Sequence, residues 1–337
     1  MMNIDERLKL IKKNIQEILG EEDLEKLLKE RKEVSLYWGT MPTGSISIAY
    51  FFPMMKIADF LKAGIKVKIL LADVHAALDS VPWEELEKRT AYYKKATVTM
   101  LETLGVSIDN LEFVLGSDIQ TTKEFYIDLL KLSTIVSAHD AKKAASEVVK
   151  LGESPRLSGL IYPLMQVLDE EYLKVDMQFG GIDQRKIMVL AREMLPRLDY
   201  KPRIEIMNPM IRGLVGEKMS SSIKNTKIDL MDGKKTIQKR INKADCIEGE
   251  PNNGLMALSK YLIFGVKDKF VIERSEKYGG NLEFNSYAEL EKVFVSKSLH
   301  PMDLKIGVAS ELNKLLVNFR DNRELSKLHK EAYPDFE

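Results

Sequence analysis

The sequence predicts an α/β fold: a part built on a parallel sheet, followed by a mainly helical C-terminal part. Three observations lead there. Short apolar strand candidates alternate with helical patterns over the first two thirds of the chain. That alternation implies a parallel sheet covered on both faces. From about residue 226 the pattern becomes mostly helical. The unusual polar and glycine-rich residues fall at strand ends, where open parallel sheets bind ligands.

Taken in order, residues 5–31 read as one helix, with Leu8, Ile11, Ile15 and Leu19 on one stripe. Strand candidates follow at Val34–Trp38, Val67–Ala72, Leu111–Leu115, Val175–Phe179 and Ile204–Met207. Helical patterns between them include Trp83–Leu104 and Lys186–Leu195, and Leu304–Phe319 is the clearest helix beyond them. This divides the chain into an N-terminal helical segment (1–32), a sheet-bearing domain (33–225) and a helical domain (226–337). There are no internal repeats and no low-complexity tract.

Composition excludes several classes. At 337 residues the chain has room for two domains with separate cores. Formal net charge is zero, so no global field draws nucleic acid, and any RNA contact must come from local patches. The single Cys246 excludes an internal disulfide and a cysteine-based metal cluster. The 4 histidines are scattered, which argues against a zinc site, and no metal site is expected. The N-terminus is charged and lacks an apolar signal core, and no apolar run is long enough to span a bilayer. A cytoplasmic protein is expected.

The strand ends carry the chemistry. The first ends in Tyr37-Trp38-Gly39-Thr40, and Pro42–Tyr50 then opens a helix. A helix N-terminus favours phosphate, although an ordinary capped helix reads the same way. The second strand ends in Asp73-Val74-His75. The fourth ends in Gly180-Gly181, which permits close backbone approach, or simply makes a tight turn. Asp183 beyond it can accept from ribose hydroxyls or cap the next helix. The fifth strand runs through Met207 and Met210 into Gly216-Glu217-Lys218-Met219-Ser220-Ser221-Ser222. That loop can wrap an anion with a cationic head, hydroxyls and backbone N–H groups, or be a solvated surface loop. Tyr162, Gln166 and Asp169 fall at i, i+4 and i+7 on one helix face. A core stripe should be apolar, so this one suggests a polar pocket wall, with a solvated face as the alternative.

These residues resemble those of the tyrosyl-tRNA synthetases of the eukaryotic and archaeal type, which are class I aminoacyl-tRNA synthetases. Lys218–Ser222 is similar to the family's lysine–serine signature without a gap. Tyr37–Thr40, Asp73–Ala76, Tyr162–Gln166, Asp169–Asp176 and Gly180–Lys186 resemble its pocket segments, and His300–Lys305 its anticodon-domain signature. The resemblance runs from about residue 5 to 335. It implies a Rossmann-like catalytic domain with a middle insertion at about 115–160, then a helical anticodon-binding domain. The extra C-terminal module of some animal members is not expected. Two positions depart from the pattern. Ser47 stands where the first signature usually begins with histidine, and Ala77 where many members have tyrosine. Serine has a hydroxyl, but a shorter reach and no positive charge.

The resemblance implies a two-step reaction. The carboxylate of L-tyrosine attacks the α-phosphorus of ATP, giving tyrosyl-adenylate and pyrophosphate. The tyrosyl group then passes to the 3′-terminal adenosine of tRNA(Tyr). Catalysis would be positioning plus stabilisation of charge on the pyrophosphate. Lys218 would serve the phosphates, with Ser220 and Ser222 supporting its loop and Thr43 and Ser47 at the opposing helix start. Tyr37 and Asp169 would bind the phenolic hydroxyl, and Tyr162, Gln166 and Gln184 the amino group, with Asp73 and His75 in the pocket wall. ATP would meet Gly39, Tyr50, Gly180, Gly181, Asp183, Met207 and Met210. Mg²⁺ would arrive with ATP, and no tightly bound cofactor is implied. Tyr278, His300 and Asp303 would meet the anticodon, and Arg185 the acceptor end of tRNA. Lys235, Lys239, Arg240 and Lys243 share a helix face that either tracks phosphates or is plainly solvated. The family is usually homodimeric through the middle insertion. Two alternatives stand beside this reading: an RNA-binding protein weakened in catalysis by Ser47, and a tryptophanyl-tRNA synthetase.

Overall fold

The computed structural model describes residues 2–31, 33–211, 213–214 and 227–336. These residues cluster into two compact units. The first comprises Met1–Thr43, Lys56–Lys94 and Val106–Met210, and the second Gly44–Met55, Lys95–Gly105 and Ile211–Glu337.

The first unit holds a six-stranded sheet in the order β1-β6-β5-β2-β3-β4, where β1 is Glu17–Leu19, β2 Ser35–Thr40, β3 Lys66–Leu71, β4 Leu111–Leu115, β5 Met177–Gly181 and β6 Ile204–Asn208. All five predicted strands are present and pair in parallel. Leu36, Ile69, Met177, Phe179 and Ile206 are all buried, as near-continuous apolar strands covered on both faces must be. Phe60 meets Phe179 edge-on at 5.2 Å between ring centres. The chain builds outward from β2 in one direction to β4, then from β5 in the other to β6. The reversal opens a crevice at the carboxyl ends of β2 and β5, the expected place for a ligand.

The N-terminal segment differs from the single helix expected. Helix Ile4–Lys12 stops, β1 pairs antiparallel with β6, and a second helix runs over Glu21–Glu30. Asn14 and Gly20 explain the break, because both adopt positive φ, at 57° and 79°. A stripe at helical spacing thus continued by chance into an extended segment.

In the second unit, helix Pro301–Arg320 carries the core on Leu304, Val308, Leu312, Leu316 and Phe319. Helices Lys234–Asn242, Tyr287–Val295 and Arg323–Ala332 belong to the same unit. It is not wholly helical. Phe270–Ile272 and Leu282–Phe284 form an antiparallel ribbon, too short to show an alternating pattern in sequence. Among the described residues no helix is long and apolar enough to cross a membrane.

Candidate active site

Helix Leu157–Tyr172 carries Tyr162, Gln166 and Asp169 on one face. Tyr162 and Asp169 are buried, with Asp169 at 1% exposure, and Gln166 is half-buried. A polar stripe sealed from solvent is not a solvated face, so that alternative falls. Gln166 donates from Nε2 to Gln184 Oε1 at 3.1 Å. Asp169 Oδ1 accepts from Gln120 Nε2 at 2.7 Å, and the same amide nitrogen lies 3.1 Å from His75 Nδ1. His75 Nε2 is 3.9 Å from Asp169 Oδ2, and its ring meets Tyr162 edge-on at 4.6 Å.

Burial governs the charges here. It pushes the Asp169 carboxyl up to about 7, against the hydrogen bond from Gln120. It pushes His75 down to about 4, so the imidazole is neutral and cannot offset a carboxylate. Tyr37 is raised well above its ordinary value by burial and then by Asp169, Glu170 and Glu205. On this buried polar floor, burial shifts each of these groups toward its neutral form.

The strand ends frame this floor. Asp73, 6% exposed, accepts from the Ser117 backbone N–H at 2.8 Å and so ties β3 to helix Gly116–Gln120. Gly39 is exposed at the end of β2. A β-carbon on Gly181 would lie 2.4 Å from Asp183 Oδ1, so Asp183 folds back over Gly181 and would have to move to admit a side chain there. The Met207 side chain is fully buried at the end of β6, while Met210 is 46% exposed. The Thr43 carbonyl accepts from Arg89. Arg185 makes a bidentate pair with Glu17, at 2.7 and 2.8 Å. Gln120 was missed by sequence reasoning. Its only signal was an amide at the end of a very short helix after β4.

In the second unit, Ser47 is 7% exposed and precedes the helical turn Ile48–Tyr50, which leads into helix Phe51–Lys62. It forms an antiparallel bridge with Asp229, in which Ile48 N donates to Ile228 O at 2.8 Å and Leu230 N to Ile46 O at 3.0 Å. Ser45 Oγ lies 2.8 Å from His329 Nε2 on the Arg323–Ala332 helix. Burial pushes Asp229 up to about 6, against hydrogen bonds from Met231 N and Ser45. Lys218, Ser220 and Ser222 lie outside the described residues.

His300 is the N-cap of helix Pro301–Arg320, accepting from Met302 N at 3.1 Å, so the helix-entry role is real. Arg274 joins the helix start to the ribbon loop: it lies 3.6 Å from Asp303 and donates to the Gly280 carbonyl at 2.9 Å. Tyr278 on that loop is 64% exposed. On helix Lys234–Asn242 and its cap, Lys235, Lys239 and Lys243 are exposed, but Arg240 turns inward to Asp232 and the Lys227 carbonyl and leaves the basic face.

A parallel sheet whose order reverses between β2 and β5, above a sealed polar floor, defines an α/β protein of the open-sheet class, in which ligands bind beyond the strand ends. Residues 29–317 match the family described as tRNA synthetases class I (W and Y), and the chain belongs to that family. It is 52% identical over 336 residues to the cytoplasmic tyrosine–tRNA ligase of Gallus gallus, covering 98% of this chain and 64% of that protein. It is 44% identical to a probable cytoplasmic tyrosine–tRNA ligase of Encephalitozoon cuniculi, covering 98% of this chain and 100% of that one. Among solved structures, a tyrosyl-tRNA synthetase from Archaeoglobus fulgidus in complex with L-tyrosine superposes with a TM-score of 0.87 at 38% identity, covering 98% and 100% of the two chains. The chain thus spans a little under two thirds of the length of the vertebrate relatives it matches.

Proposed function

We propose that the chain is a tyrosyl-tRNA synthetase that activates L-tyrosine with ATP and transfers it to tRNA(Tyr). The observation that carries this reading is Asp169, a carboxyl at 1% exposure beside Tyr37, Tyr162 and Gln166 in a family whose named members act on tyrosine. One Asp169 oxygen is held by Gln120, which leaves the other to accept a phenolic O–H. Phenylalanine would bury that oxygen unpaired, and the cost of an unmet buried acceptor disfavours it. Tyr162, Gln166 and Gln184 serve the amino group. Gly180, Gly181 and Asp183 serve the ribose, with Gly39, Met207 and Met210 around ATP, and Tyr50 is assigned to ATP from its own segment.

Two neutral-to-anionic reactants meet in the first step, and charge grows on the departing pyrophosphate. Lys218, with Ser220 and Ser222, is assigned to that charge, and Mg²⁺ enters as part of the ATP complex. Thr43 and Ser47 are assigned to the phosphates from their own segment. Tyrosine-dependent ATP–pyrophosphate exchange tests the reading. No exchange above a Lys218→Ala control would sink it.

A homodimer fits helix Lys123–Ser133. Tyr126, Ile127 and Leu130 are exposed at 59%, 40% and 49%, and Ile135 and Leu157 add apolar surface from the same unit. Such a patch on a monomer marks an interaction site. A cytoplasmic location follows the names of the relatives. Ser47 favours a second reading, an RNA-binding relative with weakened catalysis. That reading predicts tRNA(Tyr) binding, through Tyr278, His300, Asp303 and Arg185, with negligible exchange.

A further inference from the structure

Beneath the proposed tyrosine pocket lies a row of polar residues, three of which, Glu170, Gln178 and Glu205, the roles above do not use. In the sheet register Tyr37 on β2 stands beside Gln178 on β5, and Gln178 beside Glu205 on β6. Their side chains share one face, which helix Leu157–Tyr172 covers with Gln166, Asp169 and Glu170. All but Gln166 are almost wholly buried: Tyr37 is 1% exposed, Gln178 3%, and Glu170 and Glu205 0%. Two glutamates in such a place need a reason, because an isolated buried carboxylate is costly.

The hydrogen bonds supply it. With its amide nitrogen toward the glutamates, Gln178 donates to Glu170 Oε1 at 2.7 Å and Glu205 Oε2 at 3.3 Å. Its carbonyl oxygen then accepts from Gln166 Nε2 at 3.2 Å and from the Tyr37 hydroxyl at 3.0 Å. The reverse orientation would set the carbonyl against two carboxyls and the amide against two donors. The remaining oxygens, Glu170 Oε2 and Glu205 Oε1, meet no donor among the described residues. Both carboxyls sit against the one amide nitrogen of Gln178, which brings them close together. Burial raises both, and their mutual repulsion raises Glu205 further, while Arg203 and Arg192 pull down on the pair. The pair is therefore held toward its protonated form.

We propose that Glu170, Glu205 and Gln178 are positioning residues for tyrosine recognition: the two glutamates fix the Gln178 amide, and Gln178 in turn fixes the Tyr37 hydroxyl and the Gln166 amide. This rests on the tyrosine pocket proposed above. A tyrosine hydroxyl has one proton. Because Tyr37 gives its proton to Gln178, its oxygen faces a ligand as an acceptor. Gln166 likewise has two amide hydrogens, one directed to Gln178 and one to Gln184 at 3.1 Å, which leaves its carbonyl oxygen to accept from the ligand's ammonium. Both groups are thus set as acceptors before the ligand arrives: Gln166 for the cationic amine, and Tyr37 alongside Asp169 for the single phenolic proton, which the two oxygens share.

The test uses the full chain with Gln178→Met, Glu205→Leu and Glu205→Gln. Isothermal titration measures tyrosine Kd, exchange kinetics give KM for ATP, and thermal unfolding checks folding. Gln178→Met should weaken tyrosine binding about ten-fold or more, the worth of one lost buried hydrogen bond. Glu205→Leu should do the same, and KM for ATP should stay within about two-fold in both. Glu205→Gln keeps an oxygen to accept from the Gln178 amide and puts an amide beside Glu170, so it should restore tyrosine affinity. Should Glu205→Leu not fold, Gln178→Met against Glu205→Gln decides. Unchanged tyrosine affinity in Gln178→Met, or equal losses for tyrosine and ATP, would overturn the proposal while leaving the enzyme reading intact. A parent protein that binds no tyrosine overturns both.

Discussion

His329 links the C-terminal helix to the segment that carries Ser47, and its pH dependence can be worked from the structure. The imidazole is 4% exposed, lies 2.8 Å from Ser45 Oγ and packs against Tyr333 and Phe336, whose ring centres are 5.6 and 4.6 Å away. Burial pushes it down from 6.5 to about 4. Above about pH 6.5 the folded and unfolded forms both carry a neutral ring, so nothing is lost there. As pH falls, the unfolded chain takes up the proton first and the folded form is penalised, until both are charged below about 4. The penalty is at most about 3 kcal/mol, at about 1.4 kcal/mol per pH unit between the two values. The assay is urea unfolding of the parent and of His329→Gln across that window. His75, Asp169 and Asp229 also titrate there, the carboxyls with opposite sign, but they are common to both proteins and drop out of the difference. The parent should lose up to about 3 kcal/mol more than His329→Gln between pH 6.5 and 4. Parallel curves would show that His329 is not held neutral.

Three further outcomes are expected. Asp128, 4% exposed, accepts from the Tyr172 hydroxyl at 2.9 Å and also from Tyr200 and Lys131. Asp128→Ala should therefore cost about 2–3 kcal/mol in denaturant unfolding and Tyr172→Phe only about 1, whereas equal losses would show that Asp128 does not organise both hydroxyls. Leu130→Glu, a charge on the exposed apolar face, should shift sedimentation from dimer to monomer, and an unchanged mass would remove that face as the interface. Ser47→His should raise the exchange rate if the serine is a handicap in charge stabilisation, and an unchanged or lower rate would show that it is not.

The sheet was legible because each parallel strand is an apolar run bounded by turn residues. Val67–Ala72 against the observed Lys66–Leu71 shows how little the ends moved. The N-terminal segment misled because Ile15 and Leu19 extend a helical stripe past Lys12, and the positive φ of Asn14 carries no strong sequence mark. The polar stripe of helix Leu157–Tyr172 was legible as something other than core, since hydrophobic periodicity makes a polar face conspicuous, and its burial excludes the solvated alternative. Its supports were not. Gln120, Gln178 and Glu205 come from separate elements: Gln120 reaches helix Leu157–Tyr172 at Asp169, and Gln178 and Glu205 stand side by side only through the sheet register. Burial decides their protonation, and burial is a property of the folded chain.

The most direct test of the account is amino-acid-dependent ATP–pyrophosphate exchange with tyrosine, phenylalanine and tryptophan in parallel. The account predicts exchange with tyrosine, little with the other two, and loss of the signal in Lys218→Ala. Exchange that prefers tryptophan, or that survives Lys218→Ala unchanged, would contradict it.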